Sequence, residues 1–249
     1  MSKATDCIKR VAAQTEEILL FHSATGKDSI ALLDLCAPYF KRIVCVFMYF
    51  VPNMECTNRY IRWAEATYKN AEFLKNNGVY GYPHYAVSSF IKTGYLGCRM
   101  NEKQKKLNLV DVTNIARKQT GIEWAAFGMK EADSLNRRVF LRTYDDGINF
   151  KTKKFYPLHL YKHPDIAKYI QDRGLITPVD YSEGMFRKST SSGESVDSTI
   201  FLNYLRRHFP KDLERVFMYY PDTERLLFEF DQAMGGQQQE FNETETDEQ

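Results

Sequence analysis

Cysteine is scarce and unevenly placed: the 249 residues hold five, Cys7, Cys36, Cys45, Cys56 and Cys98, and nothing beyond Cys98. The number is odd and no C-x-x-C pair occurs, which argues against a disulfide framework and against a structural zinc centre. Long apolar runs are missing too. No stretch approaches the roughly 18 uncharged apolar residues of a spanning helix, and the start, MSKATDCIKRVAAQTEE, lacks the apolar segment of a secretory signal. The chain therefore reads as cytoplasmic, with no membrane partner. There is no internal repeat, and 43% hydrophobic with 27% charged residues excludes whole-chain disorder, collagen-like repeats and coiled coil. Basic residues are absent from the last fifteen positions, GGQQQEFNETETDEQ, which hold five of the 32 acids. The net charge of +2 thus conceals +7 on residues 1–234, a surplus that suits an anionic ligand.

Apolar segments alternate with helical periodicities over the first 130 residues or so. Residues 3–15 read as a helix, EILLFH (17–22) as a buried strand, and 27–40 as a helix with Ile30, Leu33, Ala37 and Phe40 on one face. RIVCVFMYF (42–50) has the composition of a strand buried on both sides. The spacing of Ile61, Ala64, Tyr68 and Ala71 predicts a long helix over 57–75, closed by NNG, and 82–87 reads as a third strand. Residues 94–107 are a basic loop, 109–120 a helix, and EWAAF (123–127) a short strand ending at Gly128. This rhythm predicts an α/β fold: a doubly wound, mostly parallel sheet with helices on both faces. After about Asp145 the rhythm fades into a turn, a short helix over 164–173, a polar linker over 187–197 and two amphipathic helices at 199–208 and 212–219. The expected organisation is a nucleotide-binding domain over 1–186, a helical extension over 187–234 and an acidic disordered tail over 235–249.

The most informative segment is S-A-T-G-K-D-S, between the first strand and the second helix. A loop that leaves a parallel strand and opens a helix aims backbone N–H groups and the positive end of the helix dipole at one place. Gly26 permits close approach, Lys27 adds a cation, and Ser23, Thr25 and Ser29 supply hydroxyls. It is not a Walker A loop, because the first glycine and the Ser/Thr directly after lysine are missing.

FHSATGKDSIALL resembles the S-G-G-K-D-S loop of the adenine-nucleotide α-hydrolase-like superfamily, the PP-loop ATP pyrophosphatases, and in particular its phosphoadenosine phosphosulfate (PAPS) reductase family. Two more segments follow in order. Gly128-Met-Lys130-Glu-Ala-Asp133-Ser134-Leu-Asn-Arg137 is similar to G-x-R-x-x-E-S-x-x-R, and Pro157-Leu158, leading through Tyr161 to Asp165-Ile166 and Tyr169-Ile170, is similar to P-L-x-x-W-x-x-x-D-V-x-x-Y-I. The resemblance covers roughly residues 16–172. It implies an adenine nucleotide bound at the carboxyl ends of the strands. Ser23, Thr25, Gly26, Lys27, Asp28, Ser29 and Gly128 would cradle it, while Lys27, Lys130 and Arg137 would act on its phosphates. With ATP as ligand, Mg2+ would bridge the phosphates with help from Asp28 or Asp133, and an acceptor would be adenylated with release of pyrophosphate.

Ala24 and Thr25 depart from the Ser and Gly of the family loop, Lys130 from Arg, Asp133 from Glu and Tyr161 from Trp. The cysteine-bearing C-terminal segment of thiol-dependent reductases and the paired cysteines of their cluster-bearing relatives have no counterpart, so no Fe–S cluster is expected. Cys98, flanked by Arg99 and Lys103, is the thiolate candidate if the chemistry is instead sulfonucleotide (PAPS or adenosine phosphosulfate) reduction, with an external thiol the other reductant. A third reading is a nucleotide-binding partner protein without catalysis. His22 beside the loop, and His159 with His163 at a metal-ligand spacing of four, are secondary candidates. The basic segments 99–106 and 151–154 are the candidates for a nucleic-acid or protein partner, and a homodimer is compatible with the sequence.

Overall fold

The structure is a computed structural model that describes residues 1–23, 26–83, 107–177, 196 and 198–233. Six strands form the central sheet in the order β4-β2-β1-β8-β10-β9. They are β1 (Glu17–Phe21), β2 (Arg42–Val46), β4 (Ala71–Phe73), β8 (Ala125–Phe127), β9 (Ile148–Asn149) and β10 (Lys154–Phe155). All neighbours run parallel except β9, which closes one edge antiparallel to β10. The α/β class and the mostly parallel sheet are as the strand-helix alternation leads one to expect.

Side-chain alternation divides the core in two. Ile18 and Leu20 of β1, Ile43 and Cys45 of β2, and Phe155 of β10 share one cluster with α1 (Ser2–Ala12), α2 (Lys27–Cys36), α3 (Glu55–Thr67) and α6 (His163–Arg173). Leu19, Val44, Ala125 and Phe127 point the other way, against Val112 and Ala116 of α4 (Leu109–Thr120) and Leu141 of α5 (Leu135–Leu141). Right-handed crossovers account for this division. The helices leading to strands on one side of β1 lie on one face and α4 and α5, beside β8 and β10, lie on the opposite face, while α6, which follows the last strand, returns to the first. The order reverses between β1 and β8, and the loops leaving these two strands meet there.

Several boundaries differ from the sequence reading. The helix expected over 57–75 ends at Thr67. Tyr68 turns extended, and Ala71–Phe73 becomes the edge strand β4, with Ala71 and Phe73 buried and Glu72 exposed. The NNG segment is a hairpin turn rather than a helix cap: β5 (Lys75–Asn76) pairs antiparallel with β6 (Val79–Tyr80) around Asn77 and Gly78, both at positive φ. The run over 42–50 breaks after Val46. Its second part, β3 (Met48–Tyr49), leaves the main sheet to pair with β7 (Tyr82–Pro83), all that is described of the expected strand over 82–87.

The C-terminal helices α7 (Thr199–His208), α8 (Pro210–Tyr219) and α9 (222–233) build a separate apolar cluster on the segment after β3. Phe50, Val51, Met54 and Cys56 pack there against Phe201, Leu205, Val216 and Tyr220. Asp212, itself buried, locks the contact. Its carboxylate accepts the backbone N–H groups of Glu55 and Cys56, each at 2.8 Å, and so caps a helix whose own N-cap residue, Met54, offers no side-chain acceptor. The acidic tail expected to be disordered lies outside the described residues.

Candidate functional site

The chain leaves β1 through His22, whose backbone N–H still donates to Val46 O at 2.9 Å. Its ring is buried against Tyr60 and Phe73, with Nε2 3.3 Å from the Tyr60 hydroxyl, and burial pushes its pKa down to about 3. It is therefore a neutral packed residue at pH 7. The loop then curls back on itself. Ser23 N–H donates to Ser29 Oγ at 3.2 Å, the two hydroxyl oxygens stand 3.1 Å apart, and Ser29 Oγ donates to Gly26 O at 2.8 Å. Gly26 lies close under Ser23: a Cβ there would stand 2.2 Å from Ser23 Oγ, so that hydroxyl would have to rotate away. The N-cap of α2, Gly26, brings no side-chain acceptor, and the first turn of the helix and its dipole face the loop. Thr25, expected among the nucleotide ligands, and Ala24 lie outside the described residues.

The loop after β8 closes the site from the other side. A Cβ on Gly128 would sit 3.3 Å from Asp28 Cβ and 3.4 Å from its carbonyl carbon, so the two loops touch closely and a side chain there would have to displace Asp28 slightly. Lys130 is fully buried. Its ammonium donates to Asp28 Oδ2 and lies 3.0 Å from Asp133 Oδ1, while its backbone N–H donates to Asp133 Oδ2 at 2.9 Å. Arg137 donates to that same Oδ2 at 2.6 Å, and His163 Nε2 stands 3.8 Å from Oδ1. Lys27 is buried as well, with Nζ 3.9 Å from Asp28 Oδ2.

Electrostatics follow from this packing. Burial drives the Lys27 pKa down and the Lys130 charge adds to the effect, against the pull of Asp28 and Asp133. Burial alone would raise Asp133, but the ammonium and backbone N–H of Lys130, together with Arg137, outweigh it and hold the carboxyl below its ordinary value. His163 is held low by burial and by the positive charges of Lys27 and Lys130. One acceptor is left over: Asp28 Oδ1 is buried with no hydrogen-bond partner among the described residues.

Ser23, Gly26, Lys27, Asp28, Ser29, Gly128, Lys130, Asp133 and Arg137 thus gather where the strand order reverses. The expected His159–His163 pair does not form. His159 lies with Nδ1 2.9 Å from Tyr156 O and Nε2 3.5 Å from Asp146, whereas His163 faces Asp133. Lys130 and Arg137 stand on different elements, Lys130 just before a 3-10 turn over Glu131–Asp133 and Arg137 in α5. Sequence reasoning missed the aromatic stack closing the ends of β1 and β8, in which Phe21 stacks on Phe127 at 4.5 Å and Phe127 on Tyr156 at 5.5 Å. Aromatic residues at strand ends were the available signal. Cys98 lies outside the described residues.

Fold and site together define an α/β protein with a cluster of hydroxyls, buried lysines and carboxylates at the switch point of a mostly parallel sheet, the place where open sheets of this kind bind ligands. No protein-family model matches the sequence, and no curated protein does. Among solved structures, the chain is similar to the U34-tRNA thiolase NcsA of Methanococcus maripaludis with its [4Fe-4S] cluster (15% identity, 91% of this chain and 79% of that one, TM-score 0.42). It is also similar to the NH3-dependent NAD synthetase of Campylobacter jejuni in complex with nitrate (15%, 88% and 90%, TM-score 0.40). A third is the FMN adenylyltransferase of Candida glabrata in complex with FMN and the ATP analogue AMPCPP (10%, 67% and 54%, TM-score 0.40), of which this chain spans about half the length. None of these three is a PAPS reductase. At such identities and scores the likeness concerns chain path, and the site rests on its own geometry. No helix among the described residues is long and apolar enough to cross a membrane.

The expectation of no Fe–S cluster is corrected. It rested on the shortage of paired cysteines, yet one of the similar structures holds a [4Fe-4S] cluster, and four cysteines of this chain, Cys7, Cys36, Cys45 and Cys56, are buried and outside any disulfide. Cysteine spacing does not exclude a cluster here.

Proposed function

We propose that this chain is a nucleotide-binding enzyme of PP-loop type, related to the PAPS reductases, that binds ATP or a similar adenylyl nucleotide and transfers its adenylyl group to an acceptor. The carrying observation is the meeting of two loops at the switch point. The hydroxyl-lined turn ending at Ser29, with buried Lys27 and the start of α2, whose N-cap Gly26 has no side chain, faces Gly128 and Arg137 across a contact that is tight even for a Cβ.

The chemistry is displacement at phosphorus. An acceptor oxygen, nitrogen or sulfur forms a bond to the α-phosphorus, the bond to the bridging oxygen breaks, and pyrophosphate leaves with the electron pair. Negative charge grows on the leaving group. Cations and amides already in place stabilise that charge without rearrangement, which favours the transition state over the bound substrate. Lys27 and the α2 N-terminus serve one side, and Arg137 the other.

Calorimetry with ATP, AMP and PAPS, together with detection of pyrophosphate and of an adenylylated product in cell extract, tests this reading. ATP binding that Lys27→Met weakens is expected. Absence of binding to all three nucleotides would refute it, and binding without pyrophosphate release would reduce the protein to a nucleotide-binding partner.

A further inference from the structure

With ATP as ligand, the resemblance implies a divalent metal ion held with help from Asp28 or Asp133. The carboxylates of these residues and His163 Nε2 do converge, with their ligand atoms within 4.8 Å of one another. The residues present do not fit such an ion. A metal shared by both carboxylates would stand about 2 Å from an oxygen of each. That space is taken by the fully buried Lys130 ammonium, bonded to Asp28 Oδ2 and 3.0 Å from Asp133 Oδ1. Charge points the same way. Lys27, Lys130 and Arg137 already surround the two carboxylates, so a divalent ion would raise a local +1 to +3 in a largely buried place before any phosphate arrived.

We propose that the Lys130 ammonium is the resident cation of this site, standing between Asp28 and Asp133 in place of a divalent metal, so that the protein engages its nucleotide without a metal on these carboxylates. The placement of the ammonium is independent of the function proposed above, and only the nucleotide clause rests on it. Lys130 is then a positioning residue. It ties the loop after β1 to the loop after β8 and sets the geometry in which Lys27 and Arg137 meet the ligand.

The test is Mn2+ titration of nucleotide-free protein, read by electron paramagnetic resonance. Wild type is expected to take up no Mn2+ with nitrogen coupling up to millimolar concentration. Lys130→Ala vacates the position and is expected to bind one Mn2+ at least about tenfold more tightly, with nitrogen coupling from His163 that Lys130→Ala/His163→Ala loses. A nitrogen-coupled Mn2+ in wild type, or no gain in Lys130→Ala, would overturn the proposal. If Lys130→Ala is unfolded alone, recovery of its circular dichroism on adding millimolar Mn2+ supports the proposal, and failure to recover counts against it. ATP titration of wild type in EDTA separates the two ideas. Affinity within about threefold of that in Mg2+ is expected, binding that requires Mg2+ refutes the clause that the nucleotide is engaged without a metal, and no binding in either refutes only the nucleotide reading.

Discussion

Lys27 and Lys130 are both buried lysines at one site, yet their neutral replacements should move stability in opposite directions. Lys130 is held by two carboxylates, and Lys130→Met would leave Asp28 and Asp133 short of a partner. Breaking a buried pair in this way costs about 3–5 kcal/mol. The lower end, about 3 kcal/mol, applies here because the Asp28 side chain keeps 25% exposure and Arg137 still neutralises Asp133. For Lys27, burial lowers the pKa, which means that the fold disfavours its charge relative to water. Lys27→Met should therefore leave stability unchanged or raise it by up to about 1 kcal/mol, since the methionine stem fills the same space.

The sign extends to pH. An unfolded lysine keeps its proton up to 10.5 whereas folded Lys27 releases it earlier, so its unfavourable contribution persists below the folded pKa and is relieved as pH rises towards 10.5. Lys27→Met should flatten that rise. Nucleotide affinity should respond the other way, with a loss of about 10- to 100-fold for one charge-assisted phosphate contact. Urea denaturation at pH 7 and pH 9.5, with calorimetry against ATP, reads all of these quantities. Equal destabilisation by Lys27→Met and Lys130→Met, with ATP affinity intact in Lys27→Met, would refute the assignment of Lys27 to the ligand and Lys130 to the frame.

Asp212→Ala removes the acceptor of two α3 amides and should lower stability by about 1–2 kcal/mol, with Asp212→Asn recovering about half, measured by urea denaturation. Folded His22 stays neutral down to about pH 3 whereas the unfolded ring takes up a proton near 6.5. Its contribution is complete above 6.5 and falls as pH drops towards 3, by up to about 1.4 kcal/mol per unit, and His22→Phe should show a shallower acid limb in thermal melts. Gly128→Val must push the β8 loop away from Asp28, so ATP affinity should fall by about tenfold or more while the far-ultraviolet circular dichroism stays native.

The first strand and its loop are legible because Gly26, Lys27 and three hydroxyl residues stand between an apolar strand and a helix, a local pattern with a local cause. The two-residue strand β10 is not: Lys154–Phe155 is too short to carry a period and exists because β8 offers it a parallel edge. The misplaced end of α3 has another cause. Ala64, Tyr68 and Ala71 satisfy helical spacing, while Ala71 and Phe73 equally satisfy the two-residue period of a strand. Pairing with β2, a non-local fact, decided between them. Lys130 is the clearest limit at the site. A lysine in a loop ordinarily belongs in water, and its burial follows from Asp28, 102 positions away, arriving to share it with Asp133. The motif that this segment resembles, in which an arginine stands at this position, suggests a phosphate contact but is blind to where the ammonium points. The general rule that a buried charge must be paired identifies Lys130 as part of the frame, and that assignment moves the expected phosphate contacts onto Lys27, the α2 N-terminus and Arg137.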